Sequence, residues 1–170
     1  MNKVNFAPIM LLEDFAEIRD GLEGTLILTS GGYDPLHPGH ISCIVDSKQH
    51  GDLLVVVVNG DWFLSRKKGR RLMDLKTRSE IVSAIRGVDF VVPFEIEDDT
   101  TVNVALETIV PDVFTKGGDR ANPETIPAWD VCAANGIEIV TGVGDSKVHS
   151  SSNILEDWYE HRLRLFMKAT

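Results

Sequence analysis

A chain of 170 residues with 43% hydrophobic and 25% charged side chains has the size of one domain and enough apolar mass for an ordinary core, which excludes a disordered protein. A net charge of −9 argues against general nucleic-acid binding, whose affinity comes from neutralising phosphates, so any phosphate site must be local. The longest aliphatic run, Leu53 to Val58, is far short of the ~20 residues that span a bilayer, and the N-terminal MNKVNFAPIMLLEDF shows no small-residue cleavage site. We therefore expect no signal peptide, no membrane partner and a cytoplasmic protein.

Met10 to Leu22 sets Leu11, Leu12, Phe15 and Ile18 at helical spacing and ends at Gly21 and Gly24. Residues 1–24 thus read as a helical extension without legible chemistry, ahead of a single domain over 25–170. Thr25 to Thr29 is a short strand buried on both faces. The glycine-rich turn SGGYDPLHPGHI, Ser30 to Ile41, leads into a helix from about Pro38 to Gln49, with proline where its missing N–H does no harm. Leu53 to Val58 is a central parallel strand, and Asn59-Gly60-Asp61 turns the chain.

Asp61 to Arg71 contains SRKKGRR, five basic residues in an acidic chain, and reads as a loop with a job. Asp74 is a credible N-cap for a helix carrying Leu75, Arg78, Ile81, Val82 and Ile85 and ended by Gly87. Asp89 to Phe94 is the next strand, Pro93 suggesting that its end lies beyond the paired region. A helix from Thr100 stops before Pro111, and Val113 to Thr115 is a short strand running into Lys116-Gly117-Gly118-Asp119. A further helix covers about Glu124 to Asn135, with Gly136 as its stop. Ile137 to Val140 is the last strand, and the loop Gly142 to Ser152 feeds an amphipathic helix from Asn153 to about Met167. Cys43 and Cys132 fall on apolar helix faces at no ligand or redox spacing, and read as buried reduced thiols.

Alternating strands and helices predict an α/β fold, a Rossmann-like doubly wound parallel sheet of about five strands with helices on both faces. The loops at Ser30 to His40, Lys116 to Asp119 and Lys147 to Ser152 all follow strands, so they share the carboxyl edge of the sheet, where such folds bind ligands. In the first, Gly31 and Gly32 let backbone approach a ligand closely. His37 and His40 flank a helix start whose dipole favours an anion, and both can reach one phosphate. The turn matches neither GxGxxG nor GxxxxGK[ST]. A zinc site of His37, His40 and Asp34 is the weaker alternative, because the glycines and prolines suit close backbone approach better than a closed cage, and we predict no resident metal.

SGGYDPLHPGH resembles the GxFDxxHxGH signature of the HxGH nucleotidyltransferase, or cytidylyltransferase-like, superfamily, and the likeness runs from about Thr25 to Trp158. Three stretches most resemble the heptose-1-phosphate adenylyltransferase domain: Val55 to Val58 with Asn59-Gly60-Asp61, Thr77-Arg78 to Val92, and FTKGGD at Phe114 to Asp119. Glycerol-3-phosphate cytidylyltransferase is next by pattern. The first family often carries a fused kinase domain in front, for which we expect no room here.

The resemblance implies that a substrate phosphate oxygen attacks the α-phosphate of a nucleoside triphosphate, ATP favoured over CTP, releasing pyrophosphate. It assigns His37 and His40 to the triphosphate and its transition state, beside the turn residues Ser30, Gly31, Gly32, Tyr33, Asp34 and Gly39. Lys68 or Lys67 is set against the phosphates or the acceptor, with Trp62 on the acceptor side and Arg78 at the following helix start. Lys116, Gly117 and Asp119 would line the nucleobase or ribose. Ser150, Ser151 and Ser152 would hold the outer phosphates from a helix N-terminus. Mg²⁺ bridging the phosphates, a small sugar or polyol phosphate acceptor, and a homodimer are implied likewise.

One departure stands out. Relatives often carry Arg-Thr-x-Gly-x-Ser-Thr-Thr in the last loop, whereas here Asp145 takes the arginine position and Val148 the glycine position. That points away from a cytidylyltransferase, leaves Lys147 or His149 as substitutes, and keeps a nucleotide-binding module without turnover as an alternative. An RNA- or protein-binding role for the basic stretch is weakest, given the acidic total and the lack of aromatic platforms.

Overall fold

The aliphatic runs of this chain must be covered on both sides, and in the computed structural model they are. It describes residues 6–97, 101–117, 124, 126–145 and 150–169. Five strands, β1 (Leu26–Gly31), β2 (Leu53–Asn59), β3 (Phe90–Phe94), β4 (Val113–Gly117) and β5 (Glu138–Val143), form one wholly parallel sheet in the order β3-β2-β1-β4-β5. The helices are α1 (Leu12–Arg19), α2 (Pro38–Ser47), α3 (Asp61–Lys68), α4 (Leu75–Ser83), α5 (Asn103–Ile109), α6 (Trp129–Asn135) and α7 (Ser151–Ala169). This is the expected doubly wound Rossmann-like sheet. The chain winds outward from β1 to β3, returns past β1 to β4, and so creates a switch point between β1 and β4.

Alternation along the strands divides the core into two layers. Leu26, Leu28, Val55, Val57 and Phe114 face Phe15 of α1, Ala105, Leu106 and Ile109 of α5, and Cys132 of α6. Ile27, Leu54, Val56 and Val58 face Ile44 of α2 and Val82 of α4. The first helix is therefore part of the core, and the chain before it also bonds to β3 through Met10 N to Val91 O and Val91 N to Pro8 O.

Four local expectations are corrected by tertiary structure. Pro93 lies inside β3, paired with Val58. Successive residues of a strand point their N–H groups to opposite sides, so Pro93 directs its missing donor the same way as Val91, outward from the sheet. The basic stretch is mostly helix α3 rather than loop. The carboxylate of Glu95 accepts Asp61 N at 2.5 Å and Trp62 N at 2.9 Å, capping a first turn that has no cap of its own. Gly69, with φ at 77°, closes α3, and Arg66, Lys67 and Lys68 sit in its last turn, where the dipole favours cations. Helix α6 starts at Trp129 rather than Glu124, because Pro127 disfavours helix in the residue before it. Cys43 is half-buried on α2 rather than in the core. The expected helix start at Thr100 lies outside the described residues.

Asp74 is the N-cap of α4 as read, its carboxylate accepting Thr77 N at 2.7 Å. Among the described residues no helix is long and apolar enough to cross a membrane.

Candidate functional site

A cavity of about 420 Å³ opens at the carboxyl edge, at the switch point. Ser30, Gly31 and Gly32 at the end of β1 form one wall and Lys116 and Gly117 at the end of β4 another. His37 and His40 stand at the start of α2, Lys67 and Lys68 come from the end of α3, and Ser150 to Ser152 from the start of α7. Such a volume is in the range of ordinary small-ligand sites.

His37 is the N-cap residue of α2 in extended conformation, and its carbonyl accepts His40 N at 2.9 Å, so one helical turn separates the two side chains. Their rings stack with centroids 3.7 Å apart and 21° between planes. Gly39 makes room for this: a Cβ there would come within 3.2 Å of the His37 ring. Tyr33, buried with φ at 51°, sets its ring edge-on to His40 at 5.2 Å. Burial, with smaller contributions from His37 and Lys68, pushes His40 down to about 3, and its Nδ1 is buried without a hydrogen-bond partner among the described residues. The imidazole is thus neutral at pH 7 and stands in the field of the Lys68 ammonium, ready to respond to an anion.

This depression has a measurable consequence. The folded value lies below the ordinary 6.5, so between the two the unfolded chain binds the proton and the folded one does not. The stability contributed by neutral His40 is present above pH 6.5 and is lost as pH falls toward 3. Urea midpoints at pH 7 and pH 4 should therefore fall further for the natural protein than for His40→Gln. Equal falls would show that His40 is not held neutral.

The remaining cations are tied in place. Lys68 Nζ donates to Asp34 O at 2.8 Å and is held below its usual range chiefly by burial. Lys67 is more exposed, its ammonium 5.4 Å from the Phe63 ring. Lys116 donates to Ser30 Oγ at 2.8 Å and lies 4.7 Å from the Phe114 ring. Ser151 Oγ donates to Pro35 O at 3.0 Å, which fastens the serine turn to the histidine turn. Asp145 N donates to Ser42 Oγ at 3.0 Å, and Asp145 is the one carboxylate among the described residues that line the cavity.

Most of the anticipated residues converge here, but not all. Arg78 is fully buried and absent from the cavity wall. Its guanidinium donates to Gly32 O at 2.7 Å, Asn59 O at 2.6 Å, Met73 O at 3.1 Å and Asp61 Oδ1 at 2.8 Å, so it braces the turns after β1 and β2. Asp34 is buried as well, its carboxylate accepting Leu72 N and Met73 N at 2.7 and 2.9 Å. Trp62 does not line the cavity; it packs under the Arg66 guanidinium at 5.4 Å, and Phe63 takes the place expected for it. Asp119, with Gly118, Lys147, Val148 and His149, lies outside the described residues.

Sequence reading missed three liners, Cys43, Phe63 and Leu64. Cys43 was within reach, since it sits three residues after His40 and so on the same helix face. There its thiol is pushed up chiefly by burial. It lies so close to β4 that a Cβ on Gly117 would come within 2.7 Å of its sulfur. Phe63 and Leu64 carried no signal while α3 passed for a loop.

The geometry brings two imidazoles, a helix N-terminus, three lysines and three serines to one crevice, an arrangement suited to a polyanion. No group of three or more His, Cys, Asp or Glu among the described residues could hold a metal ion. The chain is 38% identical over 117 residues to the bifunctional protein HldE of Nitrosococcus oceani, a match covering 68% of this chain and 24% of that protein. It is 34% identical over 159 residues to HldE of Syntrophotalea carbinolica, covering 88% and 30%. The chain thus spans about a quarter of the length of the first of these curated relatives. Among solved structures, a lipopolysaccharide core biosynthesis protein from Thermoplasma volcanium GSS1 superposes with TM-score 0.60 at 26% identity, over 72% of this chain and 99% of that one. The sequence profile described as cytidylyltransferase-like matches residues 28–156, from within β1 to within α7, and so takes in every described element of the crevice. The chain belongs to the cytidylyltransferase-like family.

Proposed function

We propose that this chain transfers a nucleoside monophosphate, ATP being the favoured donor, to the phosphate of a sugar phosphate. The observation that carries this reading is the stacked His37–His40 pair at the start of α2, facing a cavity that also holds Lys67, Lys68 and Lys116 in a protein of net charge −9. In the step itself, an acceptor phosphate oxygen bonds to the α-phosphorus, the bond from that phosphorus to the bridging oxygen breaks, and the electron pair leaves with pyrophosphate. Such chemistry needs in-line positioning and donors around a crowded anion rather than a protein nucleophile.

His37 and His40 stabilise the phosphates that change charge, and the α2 N-terminus adds its dipole. Lys68, anchored on Asp34 O, orients the reacting groups. Lys67 and Phe63 face the acceptor, while the hydroxyls of Ser150 to Ser152 take the outer phosphates. Mg²⁺ would neutralise phosphate charge, and since Asp145 is the single described carboxylate in the wall, the donor set suits an ion that arrives on the nucleotide.

Asp145 also favours a second reading. A carboxylate at the phosphate end opposes a triphosphate, as in a module that binds nucleotide without turning it over. One experiment separates the two. The chain is incubated with Mg²⁺ and each of the four nucleoside triphosphates, against sugar phosphates including heptose 1-phosphate and against glycerol 3-phosphate, and pyrophosphate is followed. The expected result is release with ATP and a sugar phosphate. Release only with CTP and a polyol phosphate replaces the donor and acceptor, and calorimetric binding with no release from any pair leaves the module.

A further inference from the structure

Asn59, the last residue of β2, is only 8% exposed, and its side-chain Oδ1 has no hydrogen-bond partner among the described residues. An amide oxygen buried in this way is costly, because water that would have satisfied it in the unfolded chain has been stripped off. It lines a narrow recess at the carboxyl ends of β2 and β3, together with Gly60, Phe63, Phe94, Glu95, Ile96 and Thr101. The other polar side chains there are already engaged. Glu95 caps α3 by accepting Asp61 N and Trp62 N, and Thr101 Oγ1 accepts Asn103 N at 3.2 Å. The Asn59 oxygen is thus the acceptor left over.

The recess adjoins the crevice. Phe63, half-buried on α3, lines both and forms the wall between them. Behind that wall, one guanidinium nitrogen of Arg78 donates to Asn59 O and also to Gly32 O, so the end of β2 is fixed against the crevice wall. As it stands the recess is too narrow to admit a water molecule, so it opens only as the Phe63 ring turns aside. What then enters must donate a hydrogen bond. A phosphate dianion only accepts and is better served by the lysines of the crevice, and an apolar group would leave the oxygen unpaired. A hydroxyl suits the site whichever way the amide is turned, because it both donates and accepts.

We propose that Asn59 selects the acceptor by its hydroxyl-bearing end: the acceptor's phosphate stays with the crevice lysines while its sugar end displaces Phe63 and donates a hydroxyl to Asn59 Oδ1. This rests on the reading of the acceptor as a sugar phosphate. Asn59 touches substrate away from the reacting phosphate, so it sets affinity for the acceptor rather than the rate of transfer.

The test compares the natural chain with Asn59→Leu, which fills the volume without a polar atom, and with Asn59→Ala, which guards against leucine failing to fit. Calorimetry measures binding of sugar 1-phosphates, heptose 1-phosphate among them, and of methyl phosphate, which keeps the phosphate and lacks every hydroxyl. Both variants should weaken sugar phosphate binding about tenfold or more and leave methyl phosphate within about threefold. Where turnover is seen, KM for the acceptor should rise with kcat nearly unchanged. The urea midpoint of Asn59→Leu should not fall, because the oxygen it removes is unbonded in the free protein. Variants that bind the sugar phosphate as tightly as the natural chain overturn the proposal. So does an equal loss for methyl phosphate, or a natural chain that binds no sugar phosphate. Failure of the transfer reading shows separately, as no pyrophosphate released from any pair while the calorimetric comparison still reports on Asn59.

Discussion

Replacing His40 by alanine should lower turnover by about 10²–10³-fold, the usual loss when one preorganised donor to a developing anion is removed. The size follows from its placement: the ring is stacked on His37, flanked by Tyr33, held neutral, and open to the cavity at a helix N-terminus. Each neighbour fixes its orientation before any ligand arrives, so little reorganisation remains at the moment of reaction. On the proposed reading, nucleotide affinity should change much less than turnover, because the backbone turn, three lysines and the serine turn that line the cavity would remain to hold the phosphates. Pyrophosphate release and calorimetry on the same preparation measure the two effects separately. An alanine variant with full turnover would remove His40 from the mechanism even if the nucleotide panel succeeds.

Arg78→Met should cost about 3–5 kcal/mol of folding stability, the range found when one partner of a buried ionic network is removed. The guanidinium is fully buried and joins Gly32 O, Asn59 O, Met73 O and the Asp61 carboxylate. Methionine fills the volume but leaves three carbonyls and a carboxylate short of a donor. Arg71, whose Nη1 lies 3.2 Å from Asp61 Oδ2, can satisfy only part of that deficit. Arg78→Lys should rescue little, since an ammonium presents a single point where the fork spans four acceptors. Urea denaturation measures the loss; a cost below about 1 kcal/mol would mean that the turns after β1 and β2 hold themselves. Because Gly32 O is one of the four acceptors, loss of the brace should also loosen the wall that the histidine turn shares.

Much of this could be read from one dimension. The continuous Leu and Val runs of β1 and β2 require burial on both faces, and the alternation with helical periods leaves a covered parallel sheet as the solution. Asp74 announced α4 through its own side chain, and the spacing of His37 and His40 on either side of Pro-Gly announced two imidazoles one turn apart. These signals are local: each depends on residues within a turn of one another, so the sequence carries them whole.

What the tertiary structure decided depends on partners far along the chain. Glu95 turns a basic stretch into helix α3 from more than thirty residues away, and with it brings Phe63 and Leu64 to the cavity in place of Trp62. Arg78, expected at the nucleotide through the family resemblance, is instead buried and bonded to carbonyls from three separate segments. The last helix was visible as an amphipathic one, yet only its departure from the body shows that its large apolar side chains are turned outward. Composition and spacing therefore determined the sheet, the crevice and its histidines. Which charged and aromatic side chains face that crevice was decided by long-range hydrogen bonds, because a side chain's role follows from what satisfies it, and that is fixed only when distant segments meet.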